Sequence, residues 1–410
     1  MPKVESEIFQ DANASWRPWL QKSLKKGKDL LDGLIAVFNE TDIRPEVKDQ
    51  LWSAIGINLE IDFPAHTCLP DHLFTPFFHR SLVNKKSKKL QQTVKPIRVK
   101  VNENDAAQII DSGRMVLLRQ LREIDPITFT DVNLISYYKM PRGISIALMG
   151  MVPERRHPID SYMGYVVFKN GLPVAYAGSW ILFDSARIGL NVFPAYRGGE
   201  SQFIFEQVLN VHREVYNLKR FTVDPYQLGK ENSDGINSAS FWVYYRVGFR
   251  PIKNEQMLLA EEEALKVKSI KGYRTSASVL KKLADSRSEL LLKKGAVNFD
   301  ATDLSIVYAS ILKNQYNNNR KQKEEQLFKK LADLLRIKNY QEERMQFILK
   351  NWCMLLLSGK NDRLSQQFKK KLKKLFELKA YGSEEEYIKE MQKAGELRKI
   401  LESKVKENIE

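Results

Sequence analysis

The sequence holds two cysteines in 410 residues, Cys68 and Cys353, too few and too far apart for a disulfide framework. A reducing cytoplasm is the compartment this usage implies. No apolar run approaches the roughly 20 residues a membrane helix needs. The first residues, Met1 to Asp11, are polar and acidic, without the basic start and apolar stretch of a secretory signal. Proline is absent after Pro251. Also lacking are a Gly-x-Ser-x-Gly nucleophile elbow and a phosphate loop with Gly-Lys-Ser/Thr. His66, Cys68, His72 and His79 lie close in sequence, but their spacing fits no zinc pattern and no second cysteine pair completes one. We expect no metal there.

Negative charge is also in short supply. The formal net charge is +16, a balance that favours anionic partners such as nucleic acid, an anionic membrane surface, an acidic protein or a phosphorylated cofactor. From Asn254 to Glu410 there are 33 Lys and Arg against 23 Asp and Glu, so this tail carries ten of the sixteen excess charges. Within it, Phe368-Lys-Lys-Lys-Leu-Lys-Lys-Leu-Phe376 reads as a basic amphipathic helix. It fits either a solvated face of a helical bundle or a surface for an anionic partner.

What is there divides into three textures. Residues 1–95 form an N-terminal region with a helical pattern and strong breaks. Trp16, Trp19, Leu20, Leu24, Leu30, Leu31, Leu34 and Ile35 keep approximate helical spacing, and Pro45 opens a second short helix. Pro64, Pro70 and Pro76 enforce an irregular stretch, and Lys85–Lys89 is a basic connector. Residues 96–256 are mixed. Ala106–Arg122 reads as a helix. Ser145–Met151, Tyr162–Phe168, Pro173–Leu182 and Ala186–Phe193 read as strands, with a hairpin signal at Asn170-Gly171. A helix over Ser201–Tyr216, a strand over Arg220–Asp224 and a helix over Ser238–Val247 follow. Residues 261–410 read as a basic all-helical domain whose core includes Trp352. The order implies an α+β fold: a mixed, mostly antiparallel twisted sheet flanked by helices, with helical regions on either side.

The informative stretch lies where the strand ending near Phe193 meets the helix beginning near Ser201. Between them stand Arg197, Gly198, Gly199 and Glu200. The amides at a helix N-terminus point out unpaired, and the helix dipole favours negative charge. Glycines let a backbone approach phosphate oxygens closely, and an arginine can add a bidentate cation. Arg197, Gly198, Gly199, Glu200 and Ser201 are therefore candidate phosphate-binding residues. Downstream runs Asn237-Ser-Ala-Ser-Phe-Trp-Val-Tyr244-Tyr-Arg-Val-Gly248-Phe249.

Val192-Phe-Pro194 leading into Tyr196-Arg197-Gly198, together with the segment from Asn237 to Phe249, resembles the GNAT superfamily of N-acetyltransferases. The spacing of seven from Asn237 to Tyr244, and of four from Tyr244 to Gly248, matches the family's second motif. The resemblance covers about residues 97–253. The first motif departs from the pattern. Counted from Arg197 the loop is one residue short; counted from Tyr196 the spacing fits, but an aromatic replaces Arg or Gln. Glu200 and Ser201 also depart from the residues usual there.

The resemblance implies an N-acyltransferase that takes acetyl-CoA or another acyl-CoA as co-substrate and passes the acyl group to an amine by direct attack on the thioester. Asn191 and Val192 would pair with the pantetheine arm through their backbone, and Asn237 would hydrogen-bond it. Tyr244 would protonate the departing thiolate, with Tyr245 as the adjacent alternative; successive helix positions point about 100° apart, so one of the two faces the site. Asp224, in Asp224-Pro-Tyr226-Gln227 at a strand end, is the candidate base or acceptor anchor. The acceptor is an amine on a small molecule or a protein. The alternative is a GNAT-fold binding protein without chemistry, whose basic helical tail meets a partner or nucleic acid.

Overall fold

The computed structural model describes residues 30–55, 68–78, 94–122, 124–197, 200–316, 319–358 and 364–409. The helical spacing around Trp16–Leu24, the basic connector, Gly198 and Gly199 lie outside these residues. The chain forms two compact units, Met1–Phe63 and Pro64–Glu410.

In the first unit two helices, Leu30–Glu40 and Pro45–Ala54, are described. Proline at the start of the second has no amide to waste there. Phe38 and Trp52 join the helices edge-to-face at 5.1 Å.

The second unit is built on one open sheet. Its strands are β1 (Ile97–Val99), β2 (Ile135–Lys139), β3 (Ile144–Met149), β4 (Ser161–Lys169), β5 (Leu172–Leu182), β6 (Ser185–Ile188), β7 (Asn191–Val192), β8 (Arg220–Val223), β9 (Arg250–Pro251) and β10 (Ser288–Leu291). The order across the sheet is β1-β2-β3-β4-β5-β6-β8-β10-β9, with β7 on β5. The described pairings are antiparallel except β6 with β8. The α+β class, with a mixed and mostly antiparallel sheet between helices, is as expected from sequence. Asn170 and Gly171, with φ of 49° and 79°, make the β4–β5 hairpin in the left-handed region that Asn and Gly tolerate. A Cβ at Gly171 would lie 2.5 Å from the Phe74 ring.

Both faces of the central strands are covered. Helix Glu103–Arg119 lays Ile109, Val116 and Leu117 on one face, against Tyr137, Met149 and Val166. Helix Ser201–Tyr216 lays Ile204, Phe205 and Val208 on the other, against Tyr165, Phe221 and Val223. That explains why β3, β4 and β5 read as near-continuous apolar runs rather than alternating ones.

The tail from Glu261 is mostly helical, as its composition predicts, but it also returns one strand to the sheet. β10 inserts between β8 and β9, with Ser288 opposite both Val223 and Pro251. Its Ser-Glu-Leu-Leu sequence favours helix locally; pairing with two neighbours overrides that preference. Among the described residues, six helices between Ala301 and Ile409 then enclose a second core around Trp352, Phe376 and Tyr387. This core is continuous with the end of β5 through Leu182 and Phe183. Trp352 donates its indole N–H to the Pro158 carbonyl at 3.0 Å. Ser383 and Glu386 form a capping box at the start of helix Glu384–Gln392.

Phe368, Leu372, Leu375 and Phe376 of the basic helix, Gln366–Tyr381, are buried in this core. Lys374 reaches Glu390 at 3.0 Å and Lys373 the Arg336 carbonyl at 2.9 Å. Lys379 is enclosed. Its ammonium meets both Glu384 oxygens at 2.8 and 2.7 Å and the Asp160 carbonyl at 2.7 Å. Ser161 donates to the same carboxylate at 2.6 Å. Among the described residues, no helix is long and apolar enough to cross a membrane.

Candidate active site

The site begins where two strands part. β6 runs parallel to β8 for three pairs, from Ser185 opposite Arg220 to Arg187 opposite Thr222. β6 also pairs with β5 on its other side; after Ile188 the chain leaves β8 but stays on β5 as β7, Asn191 opposite Tyr176 and Val192 opposite Ala175. Gly189 sits at the parting. A Cβ there would lie 3.0 to 3.2 Å from the Gln227 side-chain amide, which would have to shift by a few tenths of an ångström. The Tyr165 hydroxyl donates to the Gly189 carbonyl and pins the turn.

The parting opens a cleft of about 550 Å³. Asn191 and Val192 line it, as their position at the strand end predicts. Ser201 and Gln202 line its mouth at the first turn of helix Ser201–Tyr216, whose leading amides have no helical acceptor. The helix dipole adds a partial positive charge there.

Tyr244 stands inside the cleft, 3% exposed, between the rings of Phe205 at 5.1 Å and Phe249 at 5.7 Å. Its hydroxyl donates to Gln227 Oε1 at 3.4 Å. Burial pushes the phenol's pKa well above its ordinary value, against a smaller opposing effect of a Leu190 backbone hydrogen bond. The phenol therefore stays protonated at neutral pH. Tyr245 turns away, stacking on Phe241 at 5.8 Å and under the Arg250 guanidinium at 3.8 Å. The one-turn geometry selects Tyr244 of the two.

Other predicted residues are placed differently. Arg197 lines the cleft, but its guanidinium is engaged. Nε donates to the Val192 carbonyl, and both terminal nitrogens donate to Asp234, each at 2.9 Å. Those bonds hold the Asp234 carboxyl below its usual range. Glu200 is not in the cleft lining; it pairs with Lys169 at 3.3 Å and Arg142 at 3.7 Å. Asn237 ends helix Ser233–Asn237, is exposed and does not line the cleft. The expected helix over Ser238–Val247 starts instead at Ser240, because Ala239 takes a left-handed φ of 51°. That break separates Asn237 from Tyr244.

Asn232 caps helix Ser233–Asn237. Its side chain accepts from the Gly235 amide at 3.1 Å and donates to the Tyr226 carbonyl at 3.0 Å, and it lines the cleft. Sequence reasoning missed Asn232, Asp234 and Arg246. The Asn-Ser-Asp start of a short helix was the available signal for the first two. Arg246, two positions beyond Tyr244, lines the cleft and has no hydrogen bond or ion pair to a described residue in the present geometry.

A second cleft of about 280 Å³ adjoins the first, and the two share Asn191 and Gln227. Asp224 lines this one. Its carboxylate lies 3.4 Å from Arg187 and 3.4 Å from Arg287, and Arg287 also reaches Asp300 at 3.1 Å. Arg287 and Asp300 come from the C-terminal part of the chain, so this region helps to build the site. Asp224 is thus bracketed by two cations rather than held by the Pro225 turn alone, in which its side chain makes no cap.

His72 is bonded to Asp105 at 3.0 Å, while His66 and His79 lie outside the described residues. No group of three His, Cys, Asp or Glu among the described residues could hold a metal ion. Comparison with family models, with curated proteins and with solved structures finds no match. The functional reading therefore rests on the site's own residues.

Proposed function

We propose that the protein is a GNAT-like, acyl-CoA-dependent N-acyltransferase working in the cytoplasm. One observation carries the reading: parallel strands β6 and β8 part, and a buried, protonated phenol stands in the gap. The larger cleft suits a CoA thioester. The edge of Leu190–Val192 facing away from β5 offers backbone groups to an extended amide-bearing arm. The first turn of helix Ser201–Tyr216 and the unpartnered Arg246 offer positive charge for phosphates. Two free thiols, exposed Cys68 and buried Cys353, suit a reducing compartment.

The thioester supplies the acyl group, and an amine entering from the second cleft attacks its carbonyl carbon. The carbon–sulfur bond breaks as the carbon–nitrogen bond forms. Tyr244 donates its proton to the departing sulfur, and the nitrogen's surplus proton leaves through Asp224 or solvent in the second cleft. Gln227, between the clefts and bonded to the Tyr244 hydroxyl, orients the phenol.

A second reading draws on Arg197, whose guanidinium is fully engaged by Asp234 and Val192. In it the fold is retained as a binding module without chemistry. Thiol release from acetyl-CoA in the presence of amines separates the two. The transferase reading predicts that Tyr244→Phe keeps acetyl-CoA affinity and slows turnover by about 100-fold, the low end of general-acid contributions. Equal turnover in the variant removes Tyr244 from the mechanism.

A further inference from the structure

Helix Asn254–Ser269 is divided by charge along its length. Its carboxylates, Glu255 and Glu261 to Glu263, come before its cations. From Lys266 to Lys282 the chain has six cations and no carboxylate. Lys266 is engaged by Glu262 at 2.7 Å and Glu263 at 3.0 Å. Lys268, Lys271 and Arg274 are exposed and make no ion pair among the described residues. Glu261 lies about 10 Å back along the axis from Lys268, near the screening distance at physiological salt, so it offsets little of this charge.

The end of this helix stands clear of the body. Ala260, Glu263 and Val267 follow one another on one helical face. The first is fully buried, the second 2% exposed and the third 38% exposed, so the inner face loses its cover within one turn. Leu265 and Ile270 are 67% and 52% exposed. Past the helix the chain reverses. The Tyr273 amide donates to the Ile270 carbonyl at 3.2 Å, and Gly272 takes the φ of 82° that the third position of a type II turn requires. Lys271 and Gly272 form the corner, and a Cβ on Gly272 would meet nothing within 4 Å. The base of this tip is tied down. Tyr273 donates its hydroxyl to the Glu263 carboxylate at 2.8 Å, and Trp242 donates its indole N–H to the Thr275 hydroxyl at 3.1 Å.

Cations alone would suit any polyanion; the aliphatic side chains decide. Leu265, Val267 and Ile270 are exposed and interleaved with Lys268, Lys271 and Arg274. Nucleic-acid phosphates gain nothing from aliphatic groups, and surfaces for single strands present aromatic rings on which bases stack. A bilayer with anionic headgroups takes both kinds of side chain. The cations meet the headgroups, and the aliphatic groups enter the boundary of the acyl chains beneath. We infer that the tip from Leu265 to Arg274 docks end-on to an anionic membrane surface. Docking of the tip is independent of the transferase reading.

The test is co-sedimentation of the 410-residue chain with vesicles of phosphatidylcholine alone and of phosphatidylcholine with about one-third phosphatidylserine. At about 0.1 M salt the anionic vesicles are expected to bind at least about tenfold more tightly, and the difference should collapse at about 1 M. Lys268→Ser, Lys271→Ser and Arg274→Ser combined should weaken that binding about 100-fold, roughly fivefold per cation. Ile270→Ser, which keeps every charge, should weaken it about tenfold. All four positions are exposed, so both variants should unfold like the parent in circular dichroism. Equal binding to the two kinds of vesicle, or anionic binding indifferent to either variant, overturns the inference. Binding of an oligonucleotide more tightly than the anionic vesicles at the same salt, lost in the triple variant, overturns it in favour of nucleic acid.

Discussion

Single residues show both how far local sequence reaches and where it stops. Tyr244, which the spacing to Gly248 singles out, lines the cleft, while Tyr245 stacks on Phe241 outside it. Arg197 was equally visible as a cation before a helix, yet its partner Asp234 lies 37 residues on and nothing local announces it. His212 gave no sequence signal at all. It is fully buried on helix Ser201–Tyr216, with Nδ1 donating to the Val208 carbonyl at 2.9 Å and Nε2 3.1 Å from the Ser179 hydroxyl. Burial pushes its pKa down to about 4, against an ordinary value of 6.5. Between these values the unfolded chain binds a proton that the folded protein refuses. Stability is therefore complete above pH 6.5 and falls as pH drops towards 4, by about 3 kcal/mol in all. Urea denaturation at pH 7 and at pH 4.5 should show the fall, and His212→Gln should show a smaller one. An identical pH dependence in the variant would contradict this account of His212.

Among elements, those with strong local patterns were legible. Helix Ser201–Tyr216 falls within its expected bounds, and the β4–β5 hairpin follows from Asn-Gly. β10 was not, because its residues favour helix and only its two neighbours make it a strand. The break at Ala239 was hidden for a similar reason: alanine is the best helix former, and here it ends one segment and begins the next. The joint between β4 and the helices Gln366–Tyr381 and Glu384–Gln392 is held by Lys379 and Glu384, both essentially buried. Removing one member leaves the other charge unpaired in the interior. Lys379→Ala or Glu384→Ala should each cost about 3–5 kcal/mol in urea denaturation at pH 7, while Lys379→Met with Glu384→Leu should recover most of that loss. Single variants as stable as the parent would show that water compensates the remaining charge.

For the whole of the second unit, composition indicated an α+β core followed by helices. It did not indicate that the helical part is docked on the sheet. The docking contacts, Trp352 to Pro158 and Lys379 to Asp160, join residues about two hundred positions apart, and no periodicity encodes such pairs. The basic tail is accordingly a structural layer as well as a charged surface. Truncation after Ala260 removes β10 from between β8 and β9 and uncovers Leu182 and Phe183. We expect the truncated chain to lose cooperative unfolding, checked by circular dichroism during a thermal ramp. A sharp transition like that of the full chain would mark the tail as dispensable to the fold.

The central claim is that the cleft between β7 and helix Ser201–Tyr216 binds a CoA thioester. Calorimetric titration of the 410-residue chain with acetyl-CoA and longer acyl-CoAs tests it most directly, with Arg246→Ala as the internal control. The account predicts one site with a dissociation constant below about 1 mM, equivalent to about 4 kcal/mol, weakened about tenfold by Arg246→Ala. No thioester binding below that concentration, or binding indifferent to Arg246, would contradict it.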